Sequence, residues 1–347
     1  MAPNFDHNSS LTESSLLSRI ETGLDRALEE LNLPPQKESH IKRQKYIYLF
    51  IDIETSQDEN PVTYSWFKWG ASCKAGPASQ TFPQPLITHR ASAESLIDIP
   101  LDEIERIFRE DIEHLPLQDW WERELLDFLE QFYIHYGKEE YRELYLANIE
   151  LLRIMDDISV AIQHRRDPAR VETYHDFLNR TSELKTQIKS LDHLEELYGY
   201  VEETTKLFEQ VVKMLVNFEG QELERGHSTV FEELKKFYRD HVWLMIAHSI
   251  SRFTAVGPNA ELIRNDSKKE LKYLVAQFEE AFNLNRRRAA AMELLPSIDA
   301  SDREPDTEQN KMEEALDTLS DQRNNEDDTS YRQDRMISIA RESMPDE

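Results

Sequence analysis

Between residues 12 and 33, Leu16, Leu17, Ile20, Leu24, Ala27, Leu28 and Leu31 recur in steps of three and four, which predicts an amphipathic helix. Pro34 and Pro35 stop it, because proline lacks the amide that a continuing helix needs. From Ile41 to Ile53 the chain holds a second apolar segment, with Ile41, Tyr46, Ile47, Tyr48, Leu49, Phe50 and Ile51. Periodicity alone does not separate a buried helix from a buried strand here. The polar run Lys42, Arg43, Gln44 and Lys45 leading into it favours a helix.

Residues 55–90 break the pattern. They hold Pro61, Gly70, Gly76, Pro77, Pro83 and Pro85 together with Tyr64, Trp66, Phe67 and Trp69. This predicts an irregular or short-stranded insert packed on aromatics, too aromatic for a free linker. Helical spacing then resumes. Pro100 with Asp102 and Glu103 opens a helix to about His114, since proline and acids suit a first turn. Pro116 opens another through Trp120, Trp121, Leu125, Leu129 and Tyr136, and a third runs from Lys138 to about His164. Beyond Pro168 the apolar steps predict a long helix or a helical hairpin broken near Gly199. Val230 to Phe253 reads as one helix ended by Gly257-Pro258, and Lys268 to Leu295 as a last, heptad-like one.

The expected fold class is therefore all-α. A helical module over residues 12–136 carries the insert, and long helices over 138–295 form a bundle or coiled-coil hairpin. Residues 1–11 read as a disordered N-terminus. Residues 296–347 read as a disordered acidic tail, because Asp, Glu, Ser, Asn and Gln dominate there and bury too little apolar surface to offset chain entropy.

Composition changes the picture in two ways. Only 8 glycines occur in 347 residues, which argues against sheet-rich and phosphate-cradling folds. Asp and Glu number 68 against 41 Lys and Arg, a formal net charge of -27, and only 16 of the 41 are lysines. Carboxylates hold water and cations strongly, and molar salt screens their mutual repulsion, so the expected habitat is the cytoplasm of a halophilic archaeon. One cysteine, Cys73, excludes an intrachain disulfide and suits a reducing compartment. The first residues lack the basic-then-apolar order of a secretory leader, and no apolar run approaches the ~20 residues that span a bilayer, so no membrane partner is expected.

Candidate chemistry is sparse. His241 and His248 stand two turns apart, and His135 with Glu139 and His175 with Asp176 form loose pairs, but none has zinc-site spacing. Asp156-Asp157 does not single out a catalytic carboxylate pair. Cys73 stands beside Lys74 without a nearby histidine, and neither a nucleophile elbow nor a phosphate-binding glycine loop occurs. No catalytic residue, metal ligand or cofactor is assigned. The basic clusters Lys42-Arg43 with Lys45 and Arg286-Arg287-Arg288 read as a helix end or a solvated face, and the charge of -27 disfavours nucleic acid. The distinctive feature is aromatic: Tyr64, Trp66, Phe67 and Trp69, with Trp120 and Trp121, either fill a core or anchor a partner.

The run Lys42-Arg43-Gln44-Lys45-Tyr46-Ile47-Tyr48-Leu49, then Tyr64-Ser65-Trp66-Phe67-Lys68-Trp69-Gly70 and Gly76-Pro77, resembles the Panacea domain of SocA-like antitoxins across residues 41–136. That resemblance implies a helical domain that neutralises a toxin by binding it or presenting it to a protease. In general character the chain is similar to haloarchaeal proteins. Three functions follow as expectations: a non-enzymatic interaction or regulatory protein that self-associates or binds a protein through its long helices, an antitoxin-like or transcription-regulating protein, and an enzyme or metalloprotein with an unfamiliar site.

Overall fold

The computed structural model describes residues 13–34, 39–55, 61–73, 96, 98–164, 171–218 and 225–295. The expected disordered termini, residues 1–11 and 296–347, and the Gly76-Pro77 part of the insert lie outside the described residues.

Helix α1 (Glu13–Glu30) buries Leu16, Leu17, Ile20, Leu24, Ala27 and Leu28 along one side. Gly23 lets it approach the helix that carries Ile104 closely, since a Cβ there would lie 2.3 Å from the Ile104 side chain. Helix α2 (Ser39–Glu54) settles the strand-or-helix ambiguity. It is a central helix: Ile41, Tyr46, Ile47, Tyr48, Leu49, Phe50 and Ile51 are all buried, which an amphipathic pattern does not produce.

The insert contains an antiparallel hairpin of β1 (Tyr64–Phe67) and β2 (Gly70–Cys73), in the register Tyr64↔Cys73, Ser65↔Ser72, Trp66↔Ala71 and Phe67↔Gly70. Gly70 has φ +83°, the left-handed value that a tight turn demands of glycine.

Helix α3 (Leu101–Arg106) runs into a π-helical turn, Ile107–Asp111, and α4 (Leu117–Trp120) and α5 (Leu125–Tyr136) follow. The sequence pattern merges these last two. They separate because Lys42 reaches into the break and donates to the carbonyls of Trp121, at 2.7 Å, and Arg123.

Helix α6 (Arg142–Gln163) packs on α5 and on α7 (Val171–Lys189), and α7 folds back onto α8 (Tyr198–Asn217). The hairpin alternative thus holds, and the break lies near Gly199, which itself is the second residue of α8. The break falls just before a 3₁₀ turn, Asp192–Leu197, where Leu191, Leu194 and Leu197 are buried three residues apart, the step at which 3₁₀ side chains eclipse.

Helix α9 (Arg225–Phe237) passes through a π-helical turn, Tyr238–Val242, into α10 (Trp243–Thr254). The final helix, α11 (Ala260–Ala291), begins eight residues ahead of the expected Lys268, because Ala260, Ile263 and Ser267 are already buried there.

The described residues, which end at Leu295, form one compact unit. One hydrophobic cluster draws on both sides of Gly137, so the two segments delimited in the sequence share a core. Glu13 fastens three distant parts of it. Its carboxylate accepts from the Thr63 amide and from Asn259 Nδ2, at 2.7 Å for the latter. Next to it Gly257, with φ +96°, sits against the Val62 carbonyl, 2.5 Å from where a Cβ would be. Glu13→Ala leaves the buried Thr63 amide unpaired and is expected to lower the unfolding free energy by about 1–3 kcal/mol in urea titration. An unchanged midpoint would show that the clasp contributes nothing.

Candidate functional site

The chemically richest region surrounds the hairpin. An isolated two-stranded sheet leaves two rows of backbone groups exposed. Here helices engage both edges. On the β1 edge, Tyr64 exchanges hydrogen bonds with Val256, at 3.2 and 3.0 Å, and the Trp66 amide donates to Thr254 Oγ1 at 2.9 Å. On the β2 edge, Lys45 Nζ donates to the Ala71 carbonyl at 2.5 Å, and the Cys73 amide donates to Gln44 Oε1 at 2.9 Å. The turn is clamped as well. Tyr145 OH donates to the Phe67 carbonyl at 2.6 Å and Trp243 Nε1 to the Lys68 carbonyl at 2.8 Å. Lys68 Nζ meets Asp240 at 2.7 Å. A ladder of buried hydroxyls, Ser267 to Ser251 to Ser65, ties β1 to α10 and α11.

Trp66 is buried at the centre, its ring 5.5–6.4 Å from those of Tyr48, Phe132, Tyr133 and Tyr145. Tyr64 is buried edge-on to Tyr48, 5.2 Å between centroids. Trp121 is buried near Tyr46, and its indole donates to the Pro34 carbonyl at 2.8 Å. These three are core. Phe67 and Trp69 at the turn, and Trp120 on α4, are only partly covered. The Phe67 ring lies 4.9 Å from that of His248.

Burial sets the electrostatics. It pushes the Lys45 amine down to about 7, with Cys73 pulling the other way. It pushes the Cys73 thiol up to about 12, only partly offset by Lys45, and Tyr64 up to about 12. Tyr133 and Tyr145 are held well above the usual phenol value by the same cause. The Tyr133 hydroxyl is buried with no hydrogen-bond partner among the described residues. Lys68 is lowered by burial despite Asp240. Asp240, which burial alone would raise, is held low by Arg239 and Lys68.

The N-terminal basic cluster is not a solvated face. Lys42 and Lys45 are each 2% exposed, and their ammonium ends meet backbone carbonyls inside the fold. The cause is their place on α2, where Lys42 and Lys45 adjoin the buried run Tyr46 to Ile51 and find carbonyls of the packed elements within reach. Arg43 pairs with Asp25, 2.6 Å away. At the other cluster Arg286 and Arg287 are exposed, and Arg288 pairs with Glu233 at 2.9 Å.

His241 and His248 have different neighbours. His241 Nε2 lies 2.8 Å from the Leu274 carbonyl, whereas His248 faces Phe67. His135 stacks on His114 at 4.1 Å, and burial, then His114 and Arg142, lower its pKa. His175 sits beside Tyr174. Asp156 pairs with Lys235 while Asp157 is exposed. Among the described residues no group of three or more His, Cys, Asp or Glu is placed to hold a metal ion, and no helix is long and apolar enough to cross a membrane.

Sequence reasoning missed Lys45, Tyr145, Trp243 and Asp240 as parts of this region. A lysine adjoining the apolar run Tyr46 to Ile51 was the one available signal, because a charge drawn into such a run must find a partner.

Fold and site together define an all-α protein whose core closes around a clamped aromatic hairpin. The chain belongs to the family described as a domain of unknown function, DUF8098, whose profile matches residues 6–325. No curated protein and no solved structure matches it.

Proposed function

We propose that this chain is a non-enzymatic helical interaction protein with a regulatory role, built for the cytoplasm of a salt-loving archaeon. The observation that carries this reading is the direction in which the polar groups of the aromatic region point. Lys45, Gln44, Tyr145 and Trp243 are engaged with the hairpin's own backbone, and Cys73 is buried. A catalytic base or nucleophile must reach a substrate atom within hydrogen-bond distance. These groups instead hold a rigid scaffold whose outer helices face solvent. The excess of carboxylates suits that exterior to concentrated salt.

The test is size-exclusion chromatography with light scattering on the full chain, in dilute buffer and in concentrated KCl, followed by affinity capture from the source organism. The expected result is a defined oligomer or a stoichiometric complex with one protein. A monomer that retains nothing in either salt overturns the reading.

A further inference from the structure

Helix α11 is 32 residues long, about 48 Å at the usual rise, and only one side of it is used by the fold. Ile263, Ser267, Leu274, Phe278, Asn285 and Ala289 face the core. At 100° per residue, Ala276 lies opposite that stripe, and it is exposed. Lys272 and Glu279 flank it on one side, and Lys269 and Glu280 on the other. Tyr273, 48% exposed, and Leu284, 47% exposed, add apolar surface on the Glu280 side.

Elsewhere in the fold, charges at the surface commonly find partners within the chain, as half-buried Arg153 does with Asp127 and Glu130, or Arg106 with Glu103 and Asp111. On α11 itself Arg264 pairs with Glu261. Among the described residues, Lys269, Lys272, Glu279 and Glu280 form no ion pair. They are also ordered along the helix, basic first and acidic after, with the small Ala276 between.

That order is self-complementary when the helix meets itself running the other way. We propose that the outer face of α11 seats a second copy of this chain, antiparallel about a two-fold axis near Val275 and Ala276. The proposal names a partner for the interaction reading above and rests on it.

In a two-fold antiparallel contact, residues on the same flank meet at equal distances from the axis. Lys269 then lies against Glu280 of the partner subunit on one flank, and Lys272 against Glu279 of the partner subunit on the other. Each pair occurs twice. A parallel pairing would set like charges side by side. Ala276 at the axis permits the ~8 Å helix separation that tight packing needs. Solvent-exposed ion pairs contribute little affinity, so the charges select the antiparallel register while Tyr273 and Leu284 supply the apolar contact. The dimer is therefore weak and concentration-dependent.

The test exploits the symmetry. K269E/K272E makes all four charged positions around Ala276 acidic and E279K/E280K makes all four basic. All four positions are exposed, and thermal melting confirms that each variant still folds. Sedimentation of the full chain over a range of concentrations, in roughly 0.2 M KCl where pairing is only partly screened, should show a wild-type dimer weakened about tenfold or more in either variant alone. An equimolar mixture of the two variants should form a heterodimer at least as tight as wild type. Ala276→Cys should form an interchain disulfide under mild oxidation, whereas Lys206→Cys on α8 should not. A wild-type monomer at every concentration overturns the proposal, and so does a dimer indifferent to both variants. In the second case the interaction reading stands and only the face is wrong. In the first, that reading is decided separately by the capture of a different protein.

Discussion

Trp66→Ala is expected to lower the free energy of unfolding by about 3–5 kcal/mol, the range found when a fully enclosed large aromatic is truncated. The side chain is 2% exposed and lies among four aromatic rings drawn from α2, α5 and α6. Removing it opens a cavity where three helices and the hairpin converge, and the clamps on both hairpin edges prevent the site from collapsing to fill it. Trp69→Ala at the partly covered turn is expected to change stability far less, by about 1 kcal/mol. Urea denaturation of both variants measures the contrast. A large loss for Trp69 with a small one for Trp66 would reverse the assignment of core and surface within the aromatic run.

The second large effect concerns Lys45 and pH. Its amine titrates near 7 in the fold, lowered by burial, and near 10.5 in the unfolded chain. Below pH 7 both states carry the proton, and the fold bears the full cost of enclosing it. Between pH 7 and 10.5 the unfolded chain keeps the proton and the folded one releases it, so stability rises with pH by up to about 1.4 kcal/mol per unit. Cys73 acts in the opposite sense above its ordinary value of 9, because burial raises its folded pKa to about 12. The gain from Lys45 should therefore be read between pH 7 and 9. Lys45→Met keeps the volume and removes the titration. Its unfolding free energy should be nearly level over that window, while wild type gains about 2 kcal/mol. Parallel slopes in the two proteins would show that Lys45 does not govern this range.

Much of the architecture was readable without coordinates, and the reasons are specific. The α1 stripe from Leu16 to Leu28 has one apolar side, so its spacing alone names a helix and its buried face. The aromatic, glycine-bearing run from Tyr64 to Gly70 marked a break in helical pattern, and a short hairpin occupies it. Less readable were the points where a distant side chain acts on the backbone. Nothing near Trp121 in sequence announces a helix break, since the carbonyls there are taken by Lys42, 79 residues away. The apolar run after Lys45 hints at its burial but does not name its acceptor, which is the edge of a strand 26 residues on.

What this sequence determined by itself is the alternation of apolar and polar positions, and with it the all-α class and the rough extent of most helices, because a helix's buried side is encoded in local spacing. What only the tertiary structure decided is which groups end up dry. Whether a lysine points to water or to a carbonyl, and whether a tryptophan fills a core or tips a turn, depends on neighbours brought in from far along the chain, and burial then sets the charge each group can carry.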